Sequence, residues 1–399
     1  MTGKPSSSKK PVITELSPVS KINPGEQKRK HKSRNKKRLV NPEPGNPLQA
    51  HSKQFGDSLL FRKIRLLQLA DVELDLNEPL NRTYLFSGLE PVSLEGLIFL
   101  GRDRILKINF DNDILDNTDR YYTNGIRIDI ISPFLKSFPL NYLMVPYWGS
   151  GTNYYGLSIV QNMYTPSTTK VGGILYGDRP YAAYLYLGDF KISNDPLKKF
   201  RQTTEIDLGI IGPYSFGGVI QKSFHATIPT NSEPLGWVYQ IQNDLVLNYN
   251  LSLEKGIVSG KFFEFNLTGT SAIGTLYTNF GGGMMGRVGL FNPYFVNLGI
   301  ARSESNHQHK LRNSQFFFYV DLHGRVIGYD ATLEGGFFNQ TSIYTLSNKE
   351  ISRGVFEGCA GITLNFGGFR FDVGQYLLSP EFHGSFWHHW VHTGLSFEL

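Results

Sequence analysis

The stretches LKINFDND, residues 106–113, and TNGIRIDI, residues 123–130, decide the fold of this 399-residue chain. Apolar and polar residues alternate one by one along both of them. Because successive side chains of an extended strand point to opposite sides, each stretch would have one apolar and one polar face. The apolar positions are Leu106, Ile108, Phe110, Ile126, Ile128 and Ile130. Two such stretches around an Asp- and Asn-rich segment are typical of a β-hairpin.

The same alternation recurs along the rest of the chain. It is clearest at residues 205–210, 245–251, 369–373 and 391–399. Further strands are predicted around residues 154–162, 181–190, 262–268, 286–291, 315–322, 328–337 and 356–366. The sequence therefore predicts about a dozen strands, which one β-barrel accommodates in about 250–300 residues.

Composition excludes several other classes of protein. Phe (29), Tyr (21) and Gly (42) are abundant and Met (5) is scarce, which suits strands joined by turns better than a helix-rich soluble enzyme. The single cysteine, Cys359, excludes an internal disulfide framework and a CxxC metal or redox site. Because no run of about 18 apolar residues exists, we predict no spanning helix, and a membrane location requires a closed barrel.

Periodicity alone does not separate a soluble β-protein from a membrane barrel, but three features favour the barrel. The polar faces carry charges and amides in strand after strand. The chain ends on an alternating strand whose outer residue is Leu399. Aromatic residues cluster near predicted strand ends, as interfacial girdles require, at Tyr121, Tyr122, Tyr154, Tyr155, Tyr184, Tyr186, Trp387 and Trp390. We predict an all-β protein, a transmembrane antiparallel β-barrel of about 12 strands.

Charge is distributed unevenly along the chain. Residues 1–66 carry 16 Lys and Arg against four Asp and Glu, a local balance of +12, whereas the remaining residues sum to −6. We predict a disordered basic tail at 1–66, a linker or irregular segment at 67–100 and the barrel at 101–399. The basic run at 28–38 is expected to be solvated, with no specific nucleic-acid partner. Residues 1–58 have no apolar core typical of a secretory signal.

The acidic segment after the first strand is the first candidate site. Asp111, Asp113, Asp116 and Asp119 place four carboxylates within nine positions. Hard oxygen ligands at this density suit Ca²⁺, although an EF-hand is excluded because Leu115 occupies the fifth position and no Gly follows. The alternative is an acidic, Asn-rich hairpin turn with no ligand.

Two later segments contain further polar candidates. Asp178 and Arg179 precede a proline and are expected to form an ion pair that fixes a turn, and Lys170 lies in the loop before them. Gln221 and His225 are four positions apart and would share one face of a short helix. Histidine takes up and releases protons near neutral pH, so His225 is a candidate general base, although a structural histidine is the alternative. A serine nucleophile is not indicated, because no GxSxG motif is present.

Taken together, these motifs resemble the lipid A 3′-O-deacylase family of Gram-negative outer membranes. The resemblance covers residues 101–399, and the set of motifs is specific although each alone is weak. The motifs are Asn112-Asp113, TDRYYTNG at 118–125, Gln161 with YTP at 164–166, DRPY at 178–181, Gln221 with His225, and Gly236-Trp237 with Gln240 and Asn243.

The resemblance implies a Ca²⁺-dependent ester hydrolase that removes the 3′-O-linked acyloxyacyl chain of lipid A in the bacterial outer membrane.

 The catalytic residues implied are His225, Asn112, Asp113 and Thr123, the substrate-binding residues Lys170 and Gln221, and the metal ligands Asp113 and Asp111. The partners implied are lipopolysaccharide and the outer membrane, and we expect a monomer.

The chemistry of such a site can be stated from its residues. His225 would take a proton from the attacking water. Ca²⁺ held by Asp113 and nearby carbonyls would stabilise the oxyanion, while Asn112 would orient ligands and Thr123 would hydrogen-bond within the site. Three alternatives stay open: a non-enzymatic pore or scaffold, an esterase of the same fold acting on phospholipid, and an intracellular nucleic-acid-binding protein.

Overall fold

The computed structural model describes residues 98–100, 103–113, 120–227, 233–300 and 311–399. The predicted tail at 1–66 and nearly all of the predicted linker at 67–100 lie outside the described residues. Within the described ranges the chain is dominated by strands. They are β1 (Ile98–Leu100), β2 (Ile105–Asn112), β3 (Tyr121–Ile131), β4 (Gly151–Thr165), β5 (Ala182–Asp195), β6 (Phe200–Ile211), β7 (Asp244–Ser259), β8 (Phe263–Gly274), β9 (Tyr277–Leu290), β10 (Ser314–Asp330), β11 (Gly354–Phe366), β12 (Phe369–Leu378) and β13 (His388–Glu398).

Strands β2 to β13 close into a twelve-stranded antiparallel barrel. Each strand pairs with its neighbour in sequence, and the ring closes where β13 pairs with β2, with Leu395 opposite Ile108. Closure leaves no free sheet edge along the wall, so every neighbouring backbone finds its hydrogen-bond partners within the sheet. The short strand β1 adds to β4 in parallel, with Ile98 opposite Gly151.

The alternation read from the sequence separates the two faces of this wall. Polar side chains point into the lumen, where Arg127 binds Asp129 at 2.8 Å and Glu205 at 3.1 Å. Apolar side chains point outward, and Leu187 and Phe280 are 61% and 70% exposed in the isolated chain. This is the arrangement of a membrane barrel, whose outer face meets lipid, and it confirms the predicted fold class.

One predicted strand was wrong. The stretch 328–337 is not a separate strand, because β10 continues to Asp330 and a one-turn helix, α2 (Ala331–Glu334), follows. Asp330 is the cap of that turn, since its carboxylate accepts a hydrogen bond from the Thr332 amide. Asp330 is therefore both the last residue of β10 and the N-cap of α2. The alternation of apolar and polar residues does not indicate where a strand gives way to a helix. No helix in the described ranges has the length and hydropathy needed to cross a membrane.

The two ends of the barrel differ. At one end, which we call the turn end, short connections at 196–199, 260–262 and 367–368 join the strands. At the other, the loop end, lie the longer connections 166–181, 212–243 and 331–353, and the last of these contains α2. The first barrel strand, β2, begins at the turn end, and the last, β13, ends there.

The lumen is filled at the turn end by the segment 291–300, which follows β9. The Asn194 side chain donates to the Phe295 carbonyl at 2.7 Å, and Arg201 donates to the carbonyls of Tyr294 and Asn297 at 3.0 Å. Leu298 and Ile300 complete an apolar cluster with lumen residues of β4 and β5. Within the described residues, this packing places side chains of 291–300 in the turn end of the lumen.

A second segment, residues 132–150 between β3 and β4, lies on the outside of the barrel, and we call it the outer strap. The Val145 carbonyl accepts hydrogen bonds from Lys191 at 3.2 Å and from Gln202 at 3.0 Å, and its amide donates to the Tyr249 hydroxyl. These three side chains alternate with lumen-facing residues, so they belong to the outer wall. The strap therefore crosses β5, β6 and β7 on their lipid-facing side.

Candidate active site on the outer wall

A helix packs on the outer wall at the loop end. It is α1 (Gly217–Thr227), which follows a short 3-10 turn, Pro213–Ser215. A Cβ added to Gly217 would lie 2.2 Å from the Ala183 Cβ, so only glycine allows the helix to approach the wall this closely. Ala183 alternates with lumen-facing Tyr184, and α1 therefore lies outside the barrel rather than in its lumen.

Side chains from the wall hold the segment in place. Gln161 of β4 is 7% exposed and donates its amide to the Ser215 carbonyl at 2.5 Å. Within the loop, the Trp237 indole donates to the Gln221 side chain at 2.6 Å. Beneath both contacts lies a buried set, the outer-wall cluster, made of Met163, Tyr181, Ala183 and Trp237.

His225 lies one helical turn beyond Gln221. Gln221 and His225 are 5% and 6% exposed, whereas Lys222 and Ser223 between them are exposed. The two residues therefore share the inward face of α1, which confirms the prediction from their four-residue spacing. Since α1 packs against the outer wall, the imidazole is enclosed between the helix and neighbouring protein groups, in the last turn of the helix.

Thr123 connects the first hairpin to the outer-wall cluster. The pairing of β3 with β4 shifts between Tyr122 and Asn124, which places a bulge at Thr123. Its hydroxyl donates to the Met163 carbonyl at 3.3 Å, and its side chain is buried. The bulge follows Tyr121, whose φ of 60° is in the left-handed region that non-glycine residues rarely adopt.

Asn112 and Asp113 lie beside this bulge, where β2 ends. The Asp113 amide donates to the Thr123 carbonyl at 3.4 Å. Its carboxylate is buried and accepts a hydrogen bond from the Arg120 amide at 3.1 Å. A chain of contacts thus runs from Asp113 through Thr123 to Met163, the residue on which α1 packs, across about two strand spacings or roughly 10 Å of wall.

Asp111 lies on the inner face of the wall, away from Asn112 and Asp113. Its carboxylate accepts a hydrogen bond from the Tyr122 hydroxyl at 2.8 Å and contacts His392 at 2.6 Å, both within the lumen. Its two oxygens therefore already have partners on the inner face of the wall. Asp116 and Asp119 lie outside the described residues. Among the residues that the structure does describe, no group of three His, Cys, Asp or Glu side chains is placed to hold a metal ion.

Lys170 lies in the loop 166–181 and is exposed. The neighbouring Thr169 is buried, and its carbonyl accepts a hydrogen bond from the Leu235 amide at 3.1 Å. Leu235 precedes Trp237 by two residues, so the loop that carries Lys170 is fastened to the segment that braces α1. The Lys170 side chain is therefore accessible to solvent at the loop end.

The expected ion pair between Asp178 and Arg179 does not form. Asp178 instead accepts hydrogen bonds from the amide and hydroxyl of Ser167, which fixes the loop. The Arg179 guanidinium turns toward the lumen and binds Glu381 and Thr332. Burial by itself lowers the pKa of Arg179, but the nearby Glu381 and Asp330 carboxylates outweigh it, so the pKa lies above its ordinary value. Adjacent residues extended along a chain point to opposite sides, which explains the error.

Some contacts of this site leave no trace in the sequence. The carbonyls of Met163 and Ser215 are backbone groups, and the bulge at Thr123 inverts the alternation that the sequence reading relied on. In the sequence, the pair Gly217-Gly218 indicates no more than a loop. Its tight approach to Ala183 and Trp237 depends on the folded wall.

Comparisons with known proteins identify the family of the chain and its fold. The family model described as "Outer membrane protein LpxR" matches residues 93–399. A solved structure, LpxR from Salmonella typhimurium, is 19% identical, has a TM-score of 0.58 and aligns over 74% of this chain and 100% of its own, which shows the same fold. The β domain of the Bordetella autotransporter Brka aligns over 75% of this chain and 100% of its own at 10% identity and a TM-score of 0.35. No curated protein matches the sequence.

Proposed function

Because the chain belongs to the family of the outer membrane protein LpxR, we propose that it is a lipid A deacylase, an ester hydrolase that removes the 3′-O-linked acyloxyacyl chain of lipid A. The protein is a barrel of the bacterial outer membrane. In such barrels the long loops face the outside and the short turns face the periplasm. The loop end, with α1, then lies at the level of the outer leaflet, where lipid A resides.

One observation carries the proposal: α1 presents Gln221 and His225 to the lipid-facing side of the wall. A lumen site would receive solutes from water. A site between a helix and the outer wall receives a lipid that diffuses in the membrane plane, with its acyl chains against the apolar strand faces. The ester bond of lipid A lies near the boundary between headgroup and chains, the level at which the strands end and α1 begins.

Each residue of the proposed site would have a different role in ester hydrolysis. His225 would accept the proton of the attacking water, a role that requires an imidazole within hydrogen-bond reach of that water. Thr123 positions the β3 bulge against Met163 and so fixes where Asp113 lies. Lys170, outside the barrel, would pair with a phosphate of the substrate as a point charge.

We also propose a Ca²⁺ ion. Asp113 offers a buried carboxylate at the open end of β2, and Asn112 beside it offers an amide oxygen, the hard ligands that Ca²⁺ takes. When bound, the ion would act as a Lewis acid toward the ester carbonyl. We do not include Asp111, since Tyr122 and His392 engage its carboxylate in the lumen.

Of the alternatives, an open pore fits least. The segment 291–300 packs into the turn end of the lumen, with Asn194 and Arg201 holding its backbone. A phospholipid esterase remains the second candidate, because a lipid that enters between α1 and the wall need not be lipid A.

The test is mass spectrometry of lipid A and phospholipids from cells that express the full chain. We expect loss of one ester-linked acyloxyacyl chain from lipid A in membranes supplied with Ca²⁺, and no loss after treatment with a chelator. His225→Ala should lower the rate at least about 100-fold, since general-base catalysis contributes 10²–10⁴.

Lys222→Ala is the matched control. Lys222 lies on the outer face of the same helix, pairs with Glu233 at 3.3 Å and should be dispensable. Full activity of His225→Ala would refute the proposed mechanism. Shortened phospholipids with intact lipid A would instead identify the second candidate.

A further inference from the structure

The lumen contains a cavity that the proposed deacylase site does not use. It has a volume of about 330 Å³ and lies at the loop end, where Leu333 and Ile351 of the connection 331–353 line it. Small-molecule sites typically span about 300–1,000 Å³, so the cavity suits a ligand the size of a single sugar ring rather than a lipid chain. Six aromatic residues form part of its walls: Tyr122, Tyr164, Tyr184, Tyr277, Tyr376 and Trp390.

The aromatic rings form a rigid surface. Tyr376 and Trp390 stack in parallel with centroids 5.0 Å apart, and Tyr122 meets Trp390 edge-on at 4.9 Å. Such packing fixes the position of the indole without any hydrogen bond. Flat rings of this kind contact the apolar C–H faces of a ligand, while a few polar groups around them determine its orientation.

Two donors that line the cavity are unused. Trp390 is 6% exposed, and its buried Nε1–H has no acceptor among the described residues. The buried Nε–H of Arg325 likewise lacks an acceptor within the described part of the chain, although the same guanidinium binds Glu357 at 2.6 Å. A buried donor without an acceptor is unfavourable, so a ligand that offers an acceptor to either donor is favoured here.

The charged side chains around the cavity indicate which class of ligand it would bind. Glu357 and Glu381 pair with Arg325 and Arg179, whereas Asp330 accepts hydrogen bonds from the neutral Thr332. The carboxylates around the cavity exceed the guanidinium groups, and an anion would be repelled. We propose that the cavity binds a neutral saccharide, whose hydroxyls both accept from Trp390 and Arg325 and donate to carboxylates.

The test is saturation-transfer NMR with the purified full chain in dodecyldimethylamine oxide, a detergent without a sugar headgroup. The probes are glucose, galactose and N-acetylglucosamine, with glucuronate as the charged comparison. We expect saturable binding of at least one neutral probe, in roughly the millimolar range for a ligand of about a dozen heavy atoms, and at least fivefold weaker binding of glucuronate.

Trp390→Phe keeps an aromatic ring and removes only the Nε1–H donor. It should weaken the neutral sugar at least fivefold, while Trp148→Phe, a matched change at a residue 83% exposed at the turn end, should leave binding unchanged. If Trp390→Phe does not show the heat-modifiable migration of a folded barrel, Arg325→Lys replaces the second donor with the same expected loss. The proposal is overturned if no neutral probe shows saturable binding, if glucuronate binds equally well, or if the folded variant binds like the parent. Each of these results would mean that the cavity is not a saccharide site.

Discussion

Two segments leave the sheet and return along its outer wall, and they are fastened in the same way. Gln202 of β6 donates to the Val145 carbonyl of the outer strap at the turn end. Gln161 of β4 donates to the Ser215 carbonyl just before α1 at the loop end. In each case a glutamine on the lipid-facing side of a strand holds the chain at or just after a 3-10 helix: Ser215 ends Pro213–Ser215, and Val145 lies two residues after Pro139–Leu143.

The outer strap and α1 differ in which side chains they expose and which they bury. The strap exposes large rings, with Phe134, Tyr142 and Trp148 between 75% and 87% exposed, and such rings belong at a membrane interface. The helix α1 instead encloses its polar residues Gln221 and His225 on the inward face. We infer from the comparison that one form of attachment serves two purposes: the strap would anchor the barrel at the membrane interface, and α1 would form one wall of the proposed active site.

The largest effect should come from separating α1 from the wall. In Gly217→Ala, the new Cβ would lie 2.2 Å from the Ala183 side chain, so the helix must move outward. Because the proposed mechanism depends on the position of His225, we expect lipid A deacylation to fall about 100-fold, as reacting groups displaced by 1 Å lose that much. The measurement is the initial rate of acyl release from lipid A in mixed micelles.

Gly269→Ala is the control for that glycine substitution. Gly269 lies in β8, far along the wall from α1, and a Cβ there meets nothing within 4 Å. This variant should retain the parental rate and the heat-modifiable migration of the folded barrel. If both variants were equally active, the close approach of α1 would have no part in the reaction.

The glutamine pair gives a sharper version of the same test. Gln161→Leu and Gln202→Leu each remove one buried donor to a carbonyl, and each should lower the free energy of unfolding by about 1–3 kcal/mol. Only Gln161→Leu releases the turn before α1, so we expect it to lower the deacylation rate about tenfold, with Gln202→Leu within twofold of the parent. Urea unfolding in vesicles and the rate of acyl release measure the two effects separately. Equal losses of activity would mean that the strap also supports the site.

The sequence predicts the barrel, but it does not predict most of the difference between the outer strap and α1. Alternation at 106–113 and 123–130 predicted the barrel and its two faces correctly, because a period of two is a property of the strand itself. The spacing of Gln221 and His225 likewise predicted their shared helix face. Alternation does not tell which of two carboxylates two positions apart stays in the sheet, and Asp111 proved to belong to the lumen.

The same limit applies to the connections. The stretch 132–150 follows a strand and contains prolines, which predicts an irregular segment but not that it lies on the wall. Its attachment depends on Lys191, Gln202 and Tyr249, which come from the neighbouring strands β5, β6 and β7 and are brought together by the pairing of these strands. Long-range pairing of this kind follows from the register of the whole sheet.

The smallest effect should come from the exposed rings of the strap, and it tests whether the strap is only an anchor. Tyr142→Ser with Trp148→Ser removes two interfacial rings whose burial in the headgroup region is worth about 1 kcal/mol each, since neither would be fully buried there. The free energy of unfolding should fall by about 2 kcal/mol in lipid vesicles and hardly at all in detergent micelles, where no ordered interface exists. The deacylation rate should stay within twofold of the parent, because the strap and α1 attach to different ends of the wall. A loss in micelles as large as that in vesicles would show that the rings pack within the protein instead, and a loss of activity comparable to that of Gln161→Leu would remove the distinction between the anchor and the site.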